Sequence, residues 1–316
     1  ADRGGAVLRP ITVYGGRAVI ELEGIERRFG ETWALRGLDL EVPPGRVVGL
    51  LGPNGSGKTT AMRILMGVIA ADAGTMRYRG RPVGAEARRR IGYMPEERGL
   101  YQSMRAHDQL VYLGRVAGLD RARARRRATE LLGRLGLGDR GGEAVERLSL
   151  GNRQRVQLAA TLMHEPEALV LDEPFSGLDP LAVDELGSIL TDAAAQGRTV
   201  LLSSHQLDLV EDLCEEVAIV DAGRVVLSGP VAELKDRAGR RELHLEVDGA
   251  PPGWAASVPG ARLVGDEGPR TRLALEPGAD ALRVLDAARA AAPVRGFALR
   301  RPPLSEVFRE AVGGRR

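Results

Sequence analysis

The chain has 316 residues, 43% of them hydrophobic, which is enough for two domains or for one large domain with an appendage. Its formal net charge of +2 argues against a protein that captures nucleic acid by broad electrostatic attraction. One cysteine and four scattered histidines exclude a disulfide framework and a cysteine or histidine metal cage.

The first segment, residues 1–17, is interrupted by glycine, proline and arginine and is interpreted as a leader with no clear part in the core. It lacks the apolar centre of a signal peptide. No stretch approaches the roughly 18 consecutive apolar residues that cross a bilayer. We therefore expect a soluble, cytoplasmic protein whose membrane role, if any, comes through a partner.

From residue 18 to about 50, "AVIELEG" and "LRGLDLEV" alternate apolar and polar residues and predict strands of an N-terminal antiparallel subdomain. "RVVGLLG" is a continuous apolar run that ends in glycine, which is typical of a strand buried on both faces. Helical spacing follows directly, with Met62, Leu65, Met66 and Ile69 on one face.

Residues 97–165 are mostly helical in pattern and predict a helical subdomain. Its arginine-dense segment 121–137 has one apolar face, formed by Ala128, Leu131, Leu132 and Leu135. The arginines could bind nucleic acid, but a solvated helix face is favoured because the rest of the chain is not basic.

Strands and helices then alternate, with strands at 168–174 and 199–204 and helices near 181–196 and 206–214. This order predicts a mostly parallel sheet, and thus an α/β fold of the P-loop NTPase type. Residues 229–241 are predicted to close this domain, which spans 18–240, and to act as a linker.

The remainder, 241–316, has its own pattern of predicted strands and helices. "ELHLEV", "ARLVG", "TRLALEP" and "RGFALR" read as strands, "DALRVLDAARAAA" as a helix, and "LSEVFREAV" as a last amphipathic helix. The β-α-β-β-α-β-like order predicts a small ferredoxin-like α+β domain. We expect it to contribute to a dimer contact.

A phosphate-binding motif follows the buried strand. It fits G-x-x-x-x-G-K-[ST] in full and consists of Gly52, Pro53, Asn54, Gly55, Ser56, Gly57, Lys58 and Thr59, with Thr60 next to it. Its glycines let backbone N–H groups turn onto phosphate oxygens beside the positive end of a helix. Lys58 can reach the β and γ phosphates, and the Thr59 hydroxyl can bind Mg²⁺.

The segment "LVLDEP" supplies a second part of this chemistry. Asp172 at the end of a buried strand is placed to hold Mg²⁺, and Glu173 can orient and polarise an attacking water. An Asn-Lys-x-Asp guanine reader is missing from the sequence, so ATP is favoured over GTP.

The order of the P-loop, "LSLGN", "VLDEP", "SGLD" and "SSH" resembles the ATP-binding subunit of ABC transporters over residues 18–240. The resemblance implies a cytoplasmic ATPase on the inner face of the membrane. It implies a homodimer, or a heterodimer with a second ATPase subunit, that encloses two ATP molecules with Mg²⁺. It also implies a membrane-embedded permease as partner, and no nucleic acid.

The resemblance also implies roles for single residues. Phe29 matches the aromatic that stacks on adenine. Ser149 and Gly151 match residues that reach the γ-phosphate bound by the opposite subunit. Asp179 matches the loop that couples the two sites, and His205 matches the histidine that contacts the γ-phosphate beside Glu173 and Lys58.

Three positions depart from the common family pattern. Glu96 replaces a glutamine, and a carboxylate there can still bind Mg²⁺ or hold the water. Leu150 and Asn152 replace a glycine and a glutamine in "LSLGN". Ser149 is predicted to be the N-cap of a helix over about 150–164 that directs free N–H groups outward. Because a phosphate needs that hydroxyl and those amides, we interpret Leu150 as a trait of an exporter subfamily.

Two other functions compete with transport. A soluble ABC protein acting on DNA or ribosomes is the alternative. Its DNA-repair relatives carry long coiled-coil insertions, whereas only about 50 residues separate Glu96 from Ser149 here. Its ribosome-acting relatives usually carry two cassettes, and this chain has one. A small-molecule kinase with a P-loop would leave "LSLGN" and "SSH" unexplained.

Overall fold

The computed structural model describes residues 18–97, 99–237, 241–251, 253–276 and 279–313. The predicted leader, 1–17, lies outside the described residues. The chain divides into two compact units, of which the first ends at Gly229 and the second begins at Pro230.

The first unit holds two sheets and the helices between their strands. Its strands are β1 (Ile20–Phe29), β2 (Thr32–Val42), β3 (Val47–Leu51), β4 (Ala73–Tyr78), β5 (Arg81–Pro82), β6 (Ile91–Met94), β7 (Ala168–Leu171), β8 (Thr199–Ser204), β9 (Glu216–Asp221) and β10 (Arg224–Pro230). Its helices are α1 (Lys58–Leu65), α2 (Ala85–Arg89), α3 (Ala106–Val116), α4 (Arg121–Arg134), α5 (Leu150–Leu162), α6 (Pro180–Ala195) and α7 (Leu207–Leu213).

The larger sheet has the strand order β10-β9-β3-β8-β7-β6, and β3 pairs in parallel with both β8 and β9. All five residues of β3 are buried, as its continuous apolar sequence predicted. The smaller sheet has the order β2-β1-β4-β5, with β1 antiparallel to β2 and β4. The predicted α/β fold with an antiparallel N-terminal subdomain is confirmed.

Helices α3, α4 and α5 come between β6 and β7 in the chain order, and they pack against one another. The arginine-rich helix α4 buries Ala128, Leu131 and Leu132, and Leu135 after it is buried too. Asp120 caps its first turn by accepting from the Arg123 N–H at 2.8 Å. The apolar side of this segment is therefore a packing face, as predicted.

The second unit is a four-stranded antiparallel sheet with helices. Its elements are α8 (Val231–Arg237), β11 (Glu242–Val247), β12 (Ala261–Glu267), β13 (Arg270–Leu275), α9 (Ala281–Ala291), β14 (Val294–Arg300) and α10 (Leu304–Gly313). The strand order is β12-β13-β11-β14, so both connections, β11 to β12 and β13 to β14, skip one strand. This is the split arrangement that the ferredoxin-like prediction requires.

Two sequence expectations for this region were wrong in detail. The predicted linker contains helix α8, which packs against α10 because its apolar residues Val231 and Leu234 are buried. The first helix of the β-α-β-β-α-β order is only a 3-10 segment, Trp254–Ser257. Gly253 before it has a φ of +78°, which is not helical, and Pro259 follows it, so the segment does not extend into a longer helix.

Among the helices that the structure describes, none is both long enough and apolar enough to cross a bilayer.

Candidate functional site

The sequence motifs meet at one edge of the larger sheet. Strands β3, β6, β7 and β8 are parallel neighbours, so their carboxyl ends lie side by side. The P-loop follows β3, Glu96 follows β6, Asp172 follows β7 and His205 follows β8. Ligands of open α/β sheets bind at this edge because loops from several strands converge there.

The P-loop cleft is the depression at this edge. It is lined by Ala34, Asn54, Gly55, Ser56, Gly57, Lys58, Thr59, Thr60, Glu96 and Glu173. Two glycines permit its backbone path. A Cβ at Gly52 would lie 2.3 Å from the Val220 carbonyl oxygen, and a Cβ at Gly57, where φ is +111°, would lie 2.6 Å from the Ala34 carbonyl oxygen.

Lys58 is buried at the start of α1, and its ammonium donates to the carbonyl oxygens of Gly52 at 2.7 Å and Pro53 at 3.1 Å. Burial lowers the pKa of Lys58, while the nearby carboxylates of Glu173, Asp172 and Glu96 act in the opposite direction. The cation therefore lies inside the loop, next to three acidic groups.

Asp172 is fully buried and shares one carboxylate oxygen between two hydroxyls. Its Oδ1 accepts from Thr59 Oγ1 at 3.2 Å and from Ser203 Oγ at 2.6 Å. Its Oδ2 is buried without a hydrogen-bond partner. A buried carboxylate oxygen without a donor is costly unless a cation faces it.

Glu173 is mostly buried, and its Oε2 lies 2.9 Å from Nδ1 of His205. Its φ of +49° is in the left-handed region, which is uncommon for a residue with a side chain. Strain of this kind clusters at functional sites, where the surrounding structure holds it. Glu96 is exposed and also lines the cleft.

The acidic groups and hydroxyls at this edge fit a hydrated Mg²⁺ ion. Among the described residues there is no cluster of three or more His, Cys, Asp or Glu that would form an all-protein metal cage. Mg²⁺ needs no such cage, since it keeps several waters and binds one or two protein oxygens together with phosphate oxygens. The hydroxyl of Thr59 and the unpaired oxygen of Asp172 could supply these protein ligands.

Ser149 and Gly151 are not among the residues that line the P-loop cleft. Ser149 is the N-cap of α5, as its position predicted, and its Oγ accepts from the Asn152 N–H at 3.3 Å. Asp179 likewise caps α6 by accepting from the Ala182 N–H at 2.9 Å. Phe29 is 46% exposed, with the Arg27 guanidinium 4.7 Å from its ring centroid.

Helix α5 carries two buried glutamines to which the sequence motifs assigned no role. Gln154 donates to the Pro174 carbonyl oxygen at 2.9 Å, and Gln157 donates to the Pro95 carbonyl oxygen at 2.7 Å. Helix α5 is therefore tied to the chain beside Glu173 and to the chain beside Glu96. A polar residue every three or four positions on a helix was the available signal.

Leu150 also has a contact that the sequence did not indicate. Its Cδ2 lies 2.5 Å from where a Cβ would stand on Gly177, in the turn before Asp179. Gly151 faces the same turn, since a Cβ there would lie 3.5 Å from Leu178 Cδ2. The first turn of α5 therefore packs on the turn that carries Asp179.

This contact predicts a coupled pair of substitutions. Gly177→Ala is expected to lower the free energy of unfolding by about 2 kcal/mol, because a side chain at φ +73° is strained and the new Cβ displaces Leu150. Only the second effect depends on Leu150. In urea unfolding, Leu150→Ala is therefore expected to offset about 0.5–1 kcal/mol of the Gly177→Ala loss.

Gly197→Ala is the matched control for this experiment. Gly197 has φ +87°, but nothing lies within 4 Å of a Cβ placed on it. Its alanine variant should show the backbone cost alone and should be additive with Leu150→Ala. If Leu150→Ala is additive with Gly177→Ala as well as with Gly197→Ala in the free energy of unfolding, the contact between Leu150 and Gly177 is refuted.

Two family models match the chain. The model described as ABC transporter matches residues 35–176, and the model described as ATP-binding protein DrrA1-3-like, C-terminal domain, matches residues 229–312.

Curated proteins match it as well. The chain is 38% identical to the daunorubicin resistance ATP-binding protein DrrA3 of Streptomyces coeruleorubidus, over 93% of this chain and 96% of that protein. It is 37% identical to the Nod factor export ATP-binding protein I of Ralstonia nicotianae, over 70% of each chain.

A solved structure, described as the ATP-binding subunit of an ABC transporter, aligns with a TM-score of 0.64. The two sequences are 28% identical, and the alignment covers 70% of this chain and 93% of the other.

Proposed function

This chain belongs to the ATP-binding subunits of ABC transporters, and we propose that two copies close around two ATP molecules to drive an export permease. It is an ABC ATPase of the DrrA-like export group, which carries a C-terminal domain. Subunits of this family dimerise and pair with a permease. We propose that this one works at the inner face of the membrane through such a permease.

One observation supports ATP hydrolysis. Five polar side chains meet at one edge of the sheet, namely Lys58, Thr59, Asp172, Glu173 and His205. Lys58, which now donates to two P-loop carbonyl oxygens, would turn its ammonium to the β and γ phosphates. Thr59 and Asp172 would hold the metal. Mg²⁺, when bound, neutralises charge that develops on the phosphate oxygens.

Glu173 is the proposed group for the attacking water. It would accept a hydrogen bond from that water and orient it in line with the γ-phosphate. His205 Nδ1 lies 2.9 Å from the Glu173 carboxylate and would hold it in place. The exposed side of the His205 ring would contact the γ-phosphate.

The position of Ser149 supports closure by a second copy. Ser149 and Gly151 do not line the P-loop cleft of their own chain, but they begin α5, whose N-terminal N–H groups and positive dipole end suit an anion. We propose that they bind the γ-phosphate held by the opposite subunit. Asp179 lies beside them through the contact of Leu150 with Gly177.

An exposed aromatic surface supports permease docking next to Glu96. Tyr101 and Tyr112 pack edge to face with their ring centroids 6.1 Å apart, yet they are 56% and 46% exposed. Val116, on the same helix as Tyr112, is 69% exposed. Exposed aromatic and aliphatic groups of this kind mark a protein contact. Helix α3 and the loop before it are the proposed docking surface.

Co-expression with the permease that this ATPase serves tests this assignment. Tyr112→Glu is expected to reduce co-purification with permease-containing membranes by about tenfold, since it places a charge in the contact. Leu282→Glu is the control, because Leu282 is also an exposed apolar side chain, at 66%, but belongs to the second unit rather than to the docking surface. If the chain instead sediments with ribosomes and ignores the permease, the soluble alternative is correct.

A further inference from the structure

Ser203 is a buried polar residue to which the sequence assigned no role. It is the fifth residue of β8 and is 0% exposed. In the parallel register, Leu171 pairs with Leu202, so Ser203 stands beside Asp172, the first residue after β7. A fully buried serine needs partners for its hydroxyl.

One hydroxyl serves both residues of the Asp-Glu pair. Ser203 Oγ donates to Asp172 Oδ1 at 2.6 Å and accepts from the Glu173 backbone N–H at 2.8 Å. A serine carries a single hydroxyl hydrogen, so donation to Asp172 leaves its lone pairs for Glu173. Both bonds are therefore made in one fixed rotamer.

The first bond determines how the Asp172 carboxylate is turned. Ser203 and Thr59 both donate to Oδ1, and Oδ2 is left buried without a partner. Without Ser203 the carboxylate could rotate about its last torsion, which has a broad profile. The serine thus keeps one oxygen of Asp172 free for a ligand.

The second bond holds the strained backbone of Glu173. At φ +49° the peptide N–H of Glu173 points into the protein, where it must find an acceptor. Ser203 supplies that acceptor, while His205, two residues further on, lies 2.9 Å from the carboxylate of the same glutamate. The segment 203–205 therefore contacts both the backbone N–H and the side-chain carboxylate of Glu173.

We propose that Ser203 is a positioning residue that sets Asp172 for the metal ion and Glu173 for the attacking water. This inference rests on the function proposed above. Ser203 touches neither nucleotide nor metal in this role. It acts through the two residues that do, as groups behind metal ligands commonly act.

Three substitutions separate the hydroxyl from the packing. Ser203→Ala removes the hydroxyl. Ser203→Thr and Ser203→Val have the same shape as each other and differ only in the hydroxyl, so this pair gives an answer even if the alanine variant does not fold. Thr199→Val is the control, because Thr199 is also buried, lies at the other end of β8, and donates its hydroxyl to the Pro43 carbonyl oxygen rather than to Asp172.

Metal affinity is measured without turnover. Mn²⁺ replaces Mg²⁺, ADP is the nucleotide, and the electron paramagnetic resonance of Mn²⁺ reports bound metal. The Kd for Mn²⁺ is expected to rise by about tenfold in Ser203→Ala and Ser203→Val, to remain near wild type in Thr199→Val, and to recover in Ser203→Thr. ADP binding in excess chelator is expected to be unchanged in all four.

Steady-state kinetics give the second reading. The kcat for ATP hydrolysis should fall by about tenfold or more in Ser203→Ala and Ser203→Val. The KM for ATP should stay within about twofold of wild type, because the substitutions disturb the orientation of Asp172 and Glu173 and not the binding of ATP. If both variants match Thr199→Val in Mn²⁺ affinity and kcat, Ser203 is only a packing residue. A wild-type protein without Mg²⁺-dependent ATPase activity would instead overturn the proposed function itself.

Discussion

Glu173→Gln is expected to stop ATP hydrolysis while ATP remains bound, and to leave a stable ATP-loaded dimer. Glutamine has nearly the same shape, but it is a poor acceptor for the proton of the attacking water. A positioned general base contributes about 10²–10⁴-fold, so kcat should fall by at least about 100-fold. Light scattering after size exclusion with ATP and Mg²⁺ should show the dimer, and phosphate release should show the lost rate.

The dimer has a physical reason. In the proposed closed dimer, Ser149 of one chain binds the γ-phosphate held by the other, so ATP joins the two subunits until hydrolysis removes that phosphate. Blocked hydrolysis therefore preserves the closed state. Glu86→Gln, at a side chain that is 86% exposed, is the matched control and should hydrolyse ATP at the wild-type rate. A Glu173→Gln protein that stays monomeric with ATP, with or without the permease, contradicts the closure model.

Ser149→Ala is expected to lower the ATPase rate by about 10²-fold, because a preorganised donor to developing phosphate charge is lost. Ser149 is exposed, and its hydroxyl accepts the capping hydrogen bond from the Asn152 N–H at 3.3 Å, so losing that cap should cost about 1 kcal/mol of stability or less. A urea titration checks the fold, and phosphate release checks the rate.

A mixture of two inactive proteins tests whether Ser149 acts on the opposite subunit. In a dimer of one Glu173→Gln chain and one Ser149→Ala chain, one cleft contains both defects and the other contains neither. Each mixed dimer should therefore regain up to about half of the wild-type activity. If each serine served its own chain, both clefts would be defective and no activity would return.

The local chemistry of the phosphate-binding edge could be predicted from sequence because it resides in contiguous segments. A buried strand, a glycine-rich turn and a helix start fix the P-loop backbone without reference to the rest of the chain. The strand that ends at Leu171 placed Asp172 at its carboxyl end in the same way. The capping role of Ser149 also follows from its place before a helix.

Other features depend on which strands become neighbours. Ser203 is an unremarkable strand residue until β8 lies next to β7 and brings its hydroxyl to Asp172. The same holds for Gln157 and for the contact of Leu150 with Gly177, which join segments 62 and 27 residues apart. Helix α8 was mistaken for a linker because seven residues carry too weak a periodic signal to identify a helix.

The sequence by itself determined the fold class, the phosphate-binding segment and the acidic pair, since each is encoded by residues adjacent in the chain. Only the tertiary structure decided how the side chains of Asp172 and Glu173 are oriented. It also decided that the first turn of α5 packs on the turn before Asp179. The reason is geometric: a hydrogen bond fixes an angle only when donor and acceptor meet, and here they come from different strands. Leu150 illustrates the difference, for what looked like a substituted glycine is a packing contact on the turn that carries Asp179.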